Sequence, residues 1–408
     1  MNILIMGLGY VGLTAALGFA EKGHKVFAYD SNPEKLKTLI EKTDSLFEPG
    51  LSEAFACHYG NNLIVFPGPP PDISEVDAVF ICVSTPCDDD GRCDLRNIYA
   101  AIDTLKLKSG EFSGIIVIKS TVPPDTAKTK IIPYLQNRGV TAPVASNPEF
   151  LREGCCWNDF ITPDRIVCGV EDENTADVMK EIYKDFNAPI VLTTLNTAEF
   201  IKYLSNNMLS TMISFSNEMS KVANAIGDIS IRQAFKALHM DKRWEKAPMK
   251  SYVYPGCGFG GECLPKDLQA MITHAKSYGV SPIMLQTAQD INNSMTDFFI
   301  KQITADVSEN IGILGLSFKP YTDDVRFSPA AGIISALIEK GYQHIYAHDP
   351  AANGAFHESY AFPINYCDSI EELCQKAKTV IITTAWPQFR GLDKLFKDVC
   401  FVDGRYML

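Results

Sequence analysis

An apolar run, Asn2-Ile3-Leu4-Ile5-Met6, breaks without a spacer into Gly7-Leu8-Gly9-Tyr10-Val11-Gly12, and an apolar stretch from Leu13 to Lys22 follows at once. Strand, glycine turn and helix in that order open a βαβ unit, which commits the first part of the chain to a parallel sheet. Gly7, Gly9 and Gly12 allow the tight turn, and the backbone N–H groups around Tyr10 and Val11 face outward at the positive end of the helix, where a pyrophosphate can sit. The next strand, Val26-Phe27-Ala28-Tyr29, ends in Asp30, eighteen residues beyond Gly12. A carboxylate there binds both ribose hydroxyls and repels a 2′-phosphate, so the pattern points to NAD over NADP. Lys35 is either a further contact to the adenosine ribose or a solvated helix lysine.

The opening pattern returns late in the chain. Asn310 to Phe318 echoes Asn2 to Tyr10, His348-Asp349 echoes Tyr29-Asp30, and Val380 to Thr384 echoes Val79 to Thr85. The second copy reads Gly315-Leu316-Ser317 and lacks the full glycine fingerprint, so it should hold a different ligand or none. Further strands are expected at Ala78 to Val83, Ile115 to Lys119 and Thr141 to Ala145, alternating with helices. Between the copies, Asn196 to about Ile226 reads as one long helix opened by Asn196 with Glu199 three residues on, a variant of the capping box. Its apolar residues cover more than one stripe, as expected of a helix buried between domains or subunits. A helical block follows at Pro265 to Tyr278 and Pro282 to Val307. The expected fold is α/β: two Rossmann-like, doubly wound parallel-sheet domains (1–195 and 305–408) joined by a helical middle domain (196–304).

The segment Gly258-Phe259-Gly260-Gly261-Glu262-Cys263-Leu264-Pro265-Lys266-Asp267 carries the most chemistry. Its glycines let backbone approach a ligand, and Pro265 suits a first helical turn, so Cys263 stands at a helix N-terminus near Lys266, where a thiolate is favoured. Asp267, four residues on, shares its helix face and is placed to orient the thiol or take its proton. The other eleven cysteines read as small buried hydrophobes. Lys202 and Asn206 are also four apart and together can stabilise an oxyanion. Glu149 and Glu153, in Ser146 to Gly154, follow a strand, and either can activate water. Thr121 in Ile118 to Pro123, and Ser84-Thr85-Pro86, end two other strands with hydroxyls.

Several classes drop out. The balance of 37 basic against 49 acidic residues, net −12, opposes nucleic acid or an anionic membrane as partner. No apolar run reaches membrane-spanning length, and the N-terminal residues do not read as an export signal, so a cytoplasmic chain with reduced thiols is expected. Asp88-Asp89-Asp90-Gly91 suggests a calcium loop, but Arg92 and Tyr99 fall where oxygen ligands are required. No metal site is expected, since the seven histidines lack paired spacing and Cys257 with Cys263 leaves two ligands missing.

Taken together, GLGYVGL, KSTVPP, NPEFLREG, the Lys202/Asn206 helix, GFGGECLPKD and FKPYTDDVRFSP resemble the UDP-glucose/GDP-mannose dehydrogenase family along the whole chain. The resemblance implies two hydride transfers to two NAD+, converting a sugar CH2OH to a carboxylate through a thioester on Cys263, with UDP-glucose the favoured substrate. Lys202 and Asn206 would stabilise the oxyanions, Asp267 would assist the cysteine, and Thr121, Glu149 and Glu153 would position and activate water. Phe150, Leu151, Arg152 and Glu153, with Lys202, Phe259, Gly260, Lys319, Arg405 and Arg243, would hold the nucleotide sugar; Lys246 or Lys250 could replace Arg243. Arg326 would reach the dinucleotide, and the long helix would form a homodimer core. Glu262 departs from the family pattern, and its charge opposes a thiolate at Cys263 unless it points away. The rivals are a GDP-mannose or UDP-N-acetylhexosamine dehydrogenase, a two-electron β-hydroxyacid dehydrogenase, which needs no Cys263, and a catalytically silent NAD-binding protein.

Overall fold

The computed structural model describes residues 1–41, 48–70, 72–107, 112–241, 254–279 and 281–408. These divide into two compact units, Met1–Leu204 and Ser205–Leu408. In the first, β1 (Asn2–Met6), β2 (Lys25–Tyr29), β3 (Leu63–Val65), β4 (Ala78–Ile81), β5 (Ile115–Ile118), β6 (Val144–Ser146), β7 (Ile166–Gly169) and β8 (Ile190–Thr193) form one sheet in the order β3-β2-β1-β4-β5-β6-β7-β8. Successive residues of β1 enter different cores, Ile3 and Ile5 one, Leu4 and Met6 the other. A strand covered on both faces needs the continuous apolar run seen in the sequence. Neighbours pair in parallel, save β6 and β7, which run antiparallel and meet at Ser146↔Gly169. Strand order reverses between β1 and β4, and ligands of such sheets bind at the carboxyl ends beside that switch.

The helix Tyr10–Glu21 starts directly off β1. That closeness is possible because Gly12 has no side chain: a Cβ there would lie 1.8 Å from the Gly7 carbonyl oxygen.

The second unit repeats the plan. β9 (Ile311–Leu314), β10 (Ile345–His348), β11 (Asn365–Tyr366), β12 (Thr379–Ile382) and β13 (Cys400–Asp403) form a parallel sheet in the order β11-β10-β9-β12-β13, matching β3-β2-β1-β4-β5 step for step. The echo between residues 2–10 and 310–318 is therefore one of topology, and the expected α/β class with two parallel sheets holds. Helices Cys263–Ser277 and Ile283–Ile300 precede this sheet in sequence, the latter ending short of the expected Val307.

The long helix runs Leu195–Ile226, one residue longer at its start than expected, and its capping differs. Thr194 Oγ1 accepts the Thr197 N–H at 3.2 Å. Glu199 does not close a box with Asn196; it turns into the first unit. Its Oε1 accepts from Ala127 N at 2.9 Å and Ser146 Oγ at 3.3 Å, and its Oε2 from Thr126 N at 3.2 Å. One buried carboxylate thus ties the loop after β5 and the end of β6 to the helix start.

Burial pushes the Glu199 carboxyl from its ordinary 4.5 up to about 7, although the Ala127, Ser146 and Thr126 donors pull the other way. A carboxyl whose folded value is raised favours the protonated native state. Its contribution to stability is full below pH 4.5, declines as pH rises toward 7 and is flat above. Glu199→Gln should remove that slope, so chemical denaturation of the variant should gain on the wild type by on the order of a few kcal/mol between pH 5 and 8. A difference that does not change with pH would contradict this account.

Candidate active site

In the first unit the glycine loop is pinned from β2. Gly7 N donates to Tyr29 O at 2.8 Å and Leu8 N to Asp30 Oδ2 at 2.7 Å, while Asp30 Oδ1 accepts from Asn32 N at 2.9 Å. Lys35 Nζ lies 3.4 Å from Asp30 Oδ2. Gly9 differs from Gly12: a Cβ on it would meet nothing closer than Lys35 Nζ at 4.0 Å. The protein's own packing does not require glycine there, whereas close approach of a diphosphate over the first amides of the helix at Tyr10 and Val11 does. These residues fit a dinucleotide.

Beyond the switch point, Ser84 is exposed and its carbonyl accepts from Asn97 Nδ2 at 3.0 Å; the Thr85 hydroxyl donates to Thr121 O at 2.7 Å. Thr121 lines a small cavity with Ser120, Ser146, Pro148, Glu199 and Lys202. Lys202 Nζ makes a buried ion pair with Glu149 Oε1 at 2.7 Å, and Glu149 Oε2 accepts from Leu151 N at 2.6 Å. Removing one partner of such a pair strands the other's charge, at a cost of about 3–5 kcal/mol. The Phe150 ring lies 5.6 Å from Lys202 Nζ, with the Arg165 guanidinium 4.1 Å from the same ring. Arg152 is committed to Asp159, its Nη2 2.6 Å from Oδ1, and Glu153 is partly exposed.

Two residues outside the expected set support this cluster. Lys119 is buried, donates to Asn147 Oδ1 at 3.0 Å, and has its ammonium pushed below its ordinary value by burial. Asn147 in turn donates to Val167 O at 2.8 Å, fixing the start of the Glu149 loop. The KSTVPP and NPEFLREG strings contain both, but only the folded chain shows that they meet.

In the second unit Cys263 is exposed at the first residue of its helix, as the Pro265 spacing predicts. Asp267 is almost wholly buried; its Oδ2 accepts from Asn206 Nδ2 and its Oδ1 from Lys266 Nζ, both at 2.5 Å. Asn206 and Lys266 thus both reach the one buried carboxylate. Glu262 points to Arg326, which also forks onto Asp324 with Nη2 to Oδ2 at 2.6 Å, so its charge is matched by a guanidinium.

The glycines here also make room for the protein's own atoms. A Cβ on Gly260 would lie 2.3 Å from Phe327 O, and one on Gly261 2.8 Å from the Phe318 ring, so the chain itself demands them. Phe259 is braced by Asn292, whose Oδ1 accepts the Phe259 N–H at 2.7 Å. The cysteines also depart from expectation, since Cys57, Cys155 and Cys400 are exposed.

The second Rossmann loop keeps the grip but not the vacancy. Asp349 Oδ2 accepts from Leu316 N at 2.7 Å, Ser317 N at 3.0 Å, Ser317 Oγ at 2.9 Å and Trp386 Nε1 at 3.1 Å. Little acceptor capacity is left for a ribose. Lys319 Nζ sits 5.2 Å from the Phe318 ring, and Arg405 Nε is buried with no acceptor among the described residues. Arg243, Lys246 and Lys250 lie outside the described residues. Among those described, no group of His, Cys, Asp and Glu is arranged to hold a metal, and no helix is long and apolar enough to cross a membrane.

Three domains of the UDP-glucose/GDP-mannose dehydrogenase family match in order: the NAD binding domain at residues 1–187, the central domain at 196–294 and the UDP binding domain at 312–408. A UDP-glucose 6-dehydrogenase of Rickettsia bellii is 36% identical, the match covering 100% of this chain and 96% of the relative. A UDP-glucose dehydrogenase structure from Pyrobaculum islandicum superposes with a TM-score of 0.92 at 36% identity, covering 100% of this chain and 94% of that one. A UDP-D-ManNAc dehydrogenase from Pyrococcus horikoshii does so with a TM-score of 0.86 at 25% identity, covering 100% and 96%. With the dinucleotide loop, the exposed cysteine at its helix start and all three domains in place, the chain belongs to the UDP-glucose/GDP-mannose dehydrogenase family and is an NAD-dependent nucleotide-sugar dehydrogenase.

Proposed function

We propose that this enzyme oxidises UDP-glucose to UDP-glucuronate in a four-electron reaction, with Cys263 carrying the sugar as a thiohemiacetal and then a thioester. The observation that supports it most directly is Cys263 itself, exposed at a helix N-terminus one turn before a buried Asp267 held by Asn206 and Lys266. A two-electron hydroxyacid dehydrogenase has no use for that cysteine. The UDP-glucose 6-dehydrogenases among the relatives favour glucose, while the likeness to a UDP-D-ManNAc dehydrogenase makes the N-acetylated sugar the specific rival.

NAD, when bound, accepts a hydride in each of two oxidations. Gly7, Gly9, Tyr10, Val11 and Gly12 would hold its diphosphate, Asp30 and Lys35 its adenosine ribose, and Ser84, Thr85 and Thr121 would border its far end. Arg326 is assigned to the dinucleotide as well, oriented by Asp324 and Glu262. For the sugar, the Cys263 thiolate attacks the aldehyde carbon, and Lys202 with Asn206 offsets the charge that develops on oxygen. Asp267 keeps Asn206 and Lys266 in place and takes the thiol proton. Water then cleaves the thioester, with Thr121 orienting it and Glu149, the glutamate seen on Lys202, receiving its proton; Glu153 remains a supporting carboxylate.

Phe150 to Glu153, Phe259, Gly260, Lys319 and Arg405 would bind the nucleotide sugar, the buried Nε–H of Arg405 being a donor with no acceptor among the described residues. Functionally the chain would divide at 1–195, 196–304 and 305–408, for dinucleotide, cysteine chemistry and nucleotide sugar.

The same reading includes a homodimer. Phe200, Leu204, Met208, Phe215 and Met219 recur on the long helix at spacings of four and seven and are all exposed, a stripe that a second copy would cover.

Two NADH should form per UDP-glucose consumed, and one would fit a hydroxyacid reaction. Cys263→Ser should abolish net oxidation without weakening NAD binding, and normal turnover by the serine variant would refute the thioester. Gly9→Ala should fold normally yet raise the KM for NAD about tenfold, roughly 1.4 kcal/mol, whereas Gly12→Ala should fail to fold. An unchanged KM in the first variant would remove Gly9 from the cofactor site. Leu204→Glu with Met208→Glu should shift the sedimentation of the protein from dimer to monomer, and a wild type that sediments as a monomer would dispose of the dimer.

A further inference from the structure

The loop between β4 and the helix Arg96–Thr104 is a miniature hairpin with a cysteine on each arm. Cys87 and Cys93 face each other as an antiparallel bridge. The backbone bonds around them identify its kind: Asp88 N donates to Arg92 O and Asp94 N to Pro86 O, each at 2.8 Å. Bonds from the residue after one cysteine to the residue before the other define a non-hydrogen-bonded pair, in which Cα atoms stand about 4.5 Å apart with side chains on the same face. That falls inside the roughly 4.4–6.8 Å range of Cα separations that disulfides span.

The turn is braced without any covalent link. Asp88 Oδ1 accepts from Asp90 N at 3.0 Å and Arg92 N at 2.7 Å, and Asp88 O accepts from Gly91 N at 2.9 Å. Asp88 Oδ1 is thereby engaged by its own backbone. Both cysteines are half-buried, so a small molecule can reach them.

We propose that Cys87 and Cys93 form a dithiol–disulfide site whose oxidant is a low-molecular-weight disulfide. The thiolate of one cysteine attacks the disulfide, breaking its S–S bond and releasing one thiol, which takes up a proton. The second cysteine then attacks the mixed disulfide, the Sγ–Sγ bond forms, and the second thiol leaves. Two protein thiols give up two electrons and two protons, and one small disulfide becomes two thiols. Nearby charge selects among oxidants: Asp88, Asp89, Asp90 and Asp94 outnumber Arg92 and Arg96, which are already paired with Asp90 and Asp94. A cationic disulfide is favoured over an anionic one.

The full-length protein would be treated with cystamine, blocked with N-ethylmaleimide, and mapped by mass spectrometry without reduction. Trypsin cuts after Arg92, so two peptides held together there, fragmented to tell Cys87 from Cys57 and Cys82 on the longer one, report the Cys87–Cys93 bond. The expected result is that bond, with both alkylation sites lost from the hairpin, while exposed Cys57, Cys155 and Cys400 carry single cysteamine adducts. Cys87→Ser and Cys93→Ser should each leave a persistent cysteamine adduct on the surviving cysteine, for want of a resolving thiol. Glutathione disulfide should react severalfold more slowly, a gap that narrows as salt rises. Separate adducts on Cys87 and Cys93 in the wild type, or two thiols still open to alkylation when Cys155 and Cys400 are modified, would overturn the site. Equal rates with the two disulfides would overturn its charge selectivity.

Discussion

A carboxylate at the end of a second strand, holding the backbone amide of the loop after the first, organises both halves of this protein. Asp30 does so through Leu8 N and Asp349 through Leu316 N, each at 2.7 Å. The bond fixes where the loop turns relative to the sheet, and with it the direction in which the following residues project. What differs is the capacity left over. Asp30 keeps acceptor sites beside a loop whose middle glycine meets nothing, which suits a ribose and a diphosphate. Asp349 is consumed by Ser317, Trp386 and the amides of Ala351 and Ala352. One constraint thus yields a dinucleotide loop in the first unit and a self-satisfied loop in the second.

Buried charge is the second organising device. Lys202 and Glu149 neutralise each other in the first unit, as Lys266 and Asp267 do in the second. Burying an ion pair is seldom a gain in stability over an apolar pair, because both ions lose their hydration. Under the proposed function its value would lie in preorganisation: fixed charges with little solvent around them need no rearrangement when charge develops on a bound substrate. Glu199 shows the same preference for position over stability, since three donors hold a carboxyl that burial disfavours in its charged form.

Glycine plays two roles that one-letter patterns do not separate. At Gly12, Gly260 and Gly261 it makes room for the protein's own atoms; at Gly9 it leaves space that the protein does not use. The first kind is a requirement of folding and the second leaves room that a ligand can use. Distinguishing them takes the position of the facing backbone, which sequence spacing does not contain.

Much of the fold was legible because it is written in local terms. An apolar run, a glycine turn and a helix within twenty residues specify a βαβ unit by sterics and periodicity alone, and their return near residue 310 specifies a second. The placement of Cys263 at a helix start was legible for the same reason, Pro265 being compatible with little else. The partners of the site residues were not. Asn206 meets Asp267 across 61 residues and Arg326 meets Glu262 across 64, and nothing in the spacing distinguishes Asn206 as an amide held by a carboxylate or turns Glu262 from the thiol to a guanidinium. Glu199 reads as a helix cap in sequence because three residues separate it from Asn196, yet the loop after β5 competes for it with buried amides that cannot reach water. Local sterics let the sequence determine the elements and the order in which they pair; which charged and polar groups meet was decided by tertiary structure, because burial leaves each of them only the partners that folding brings within reach.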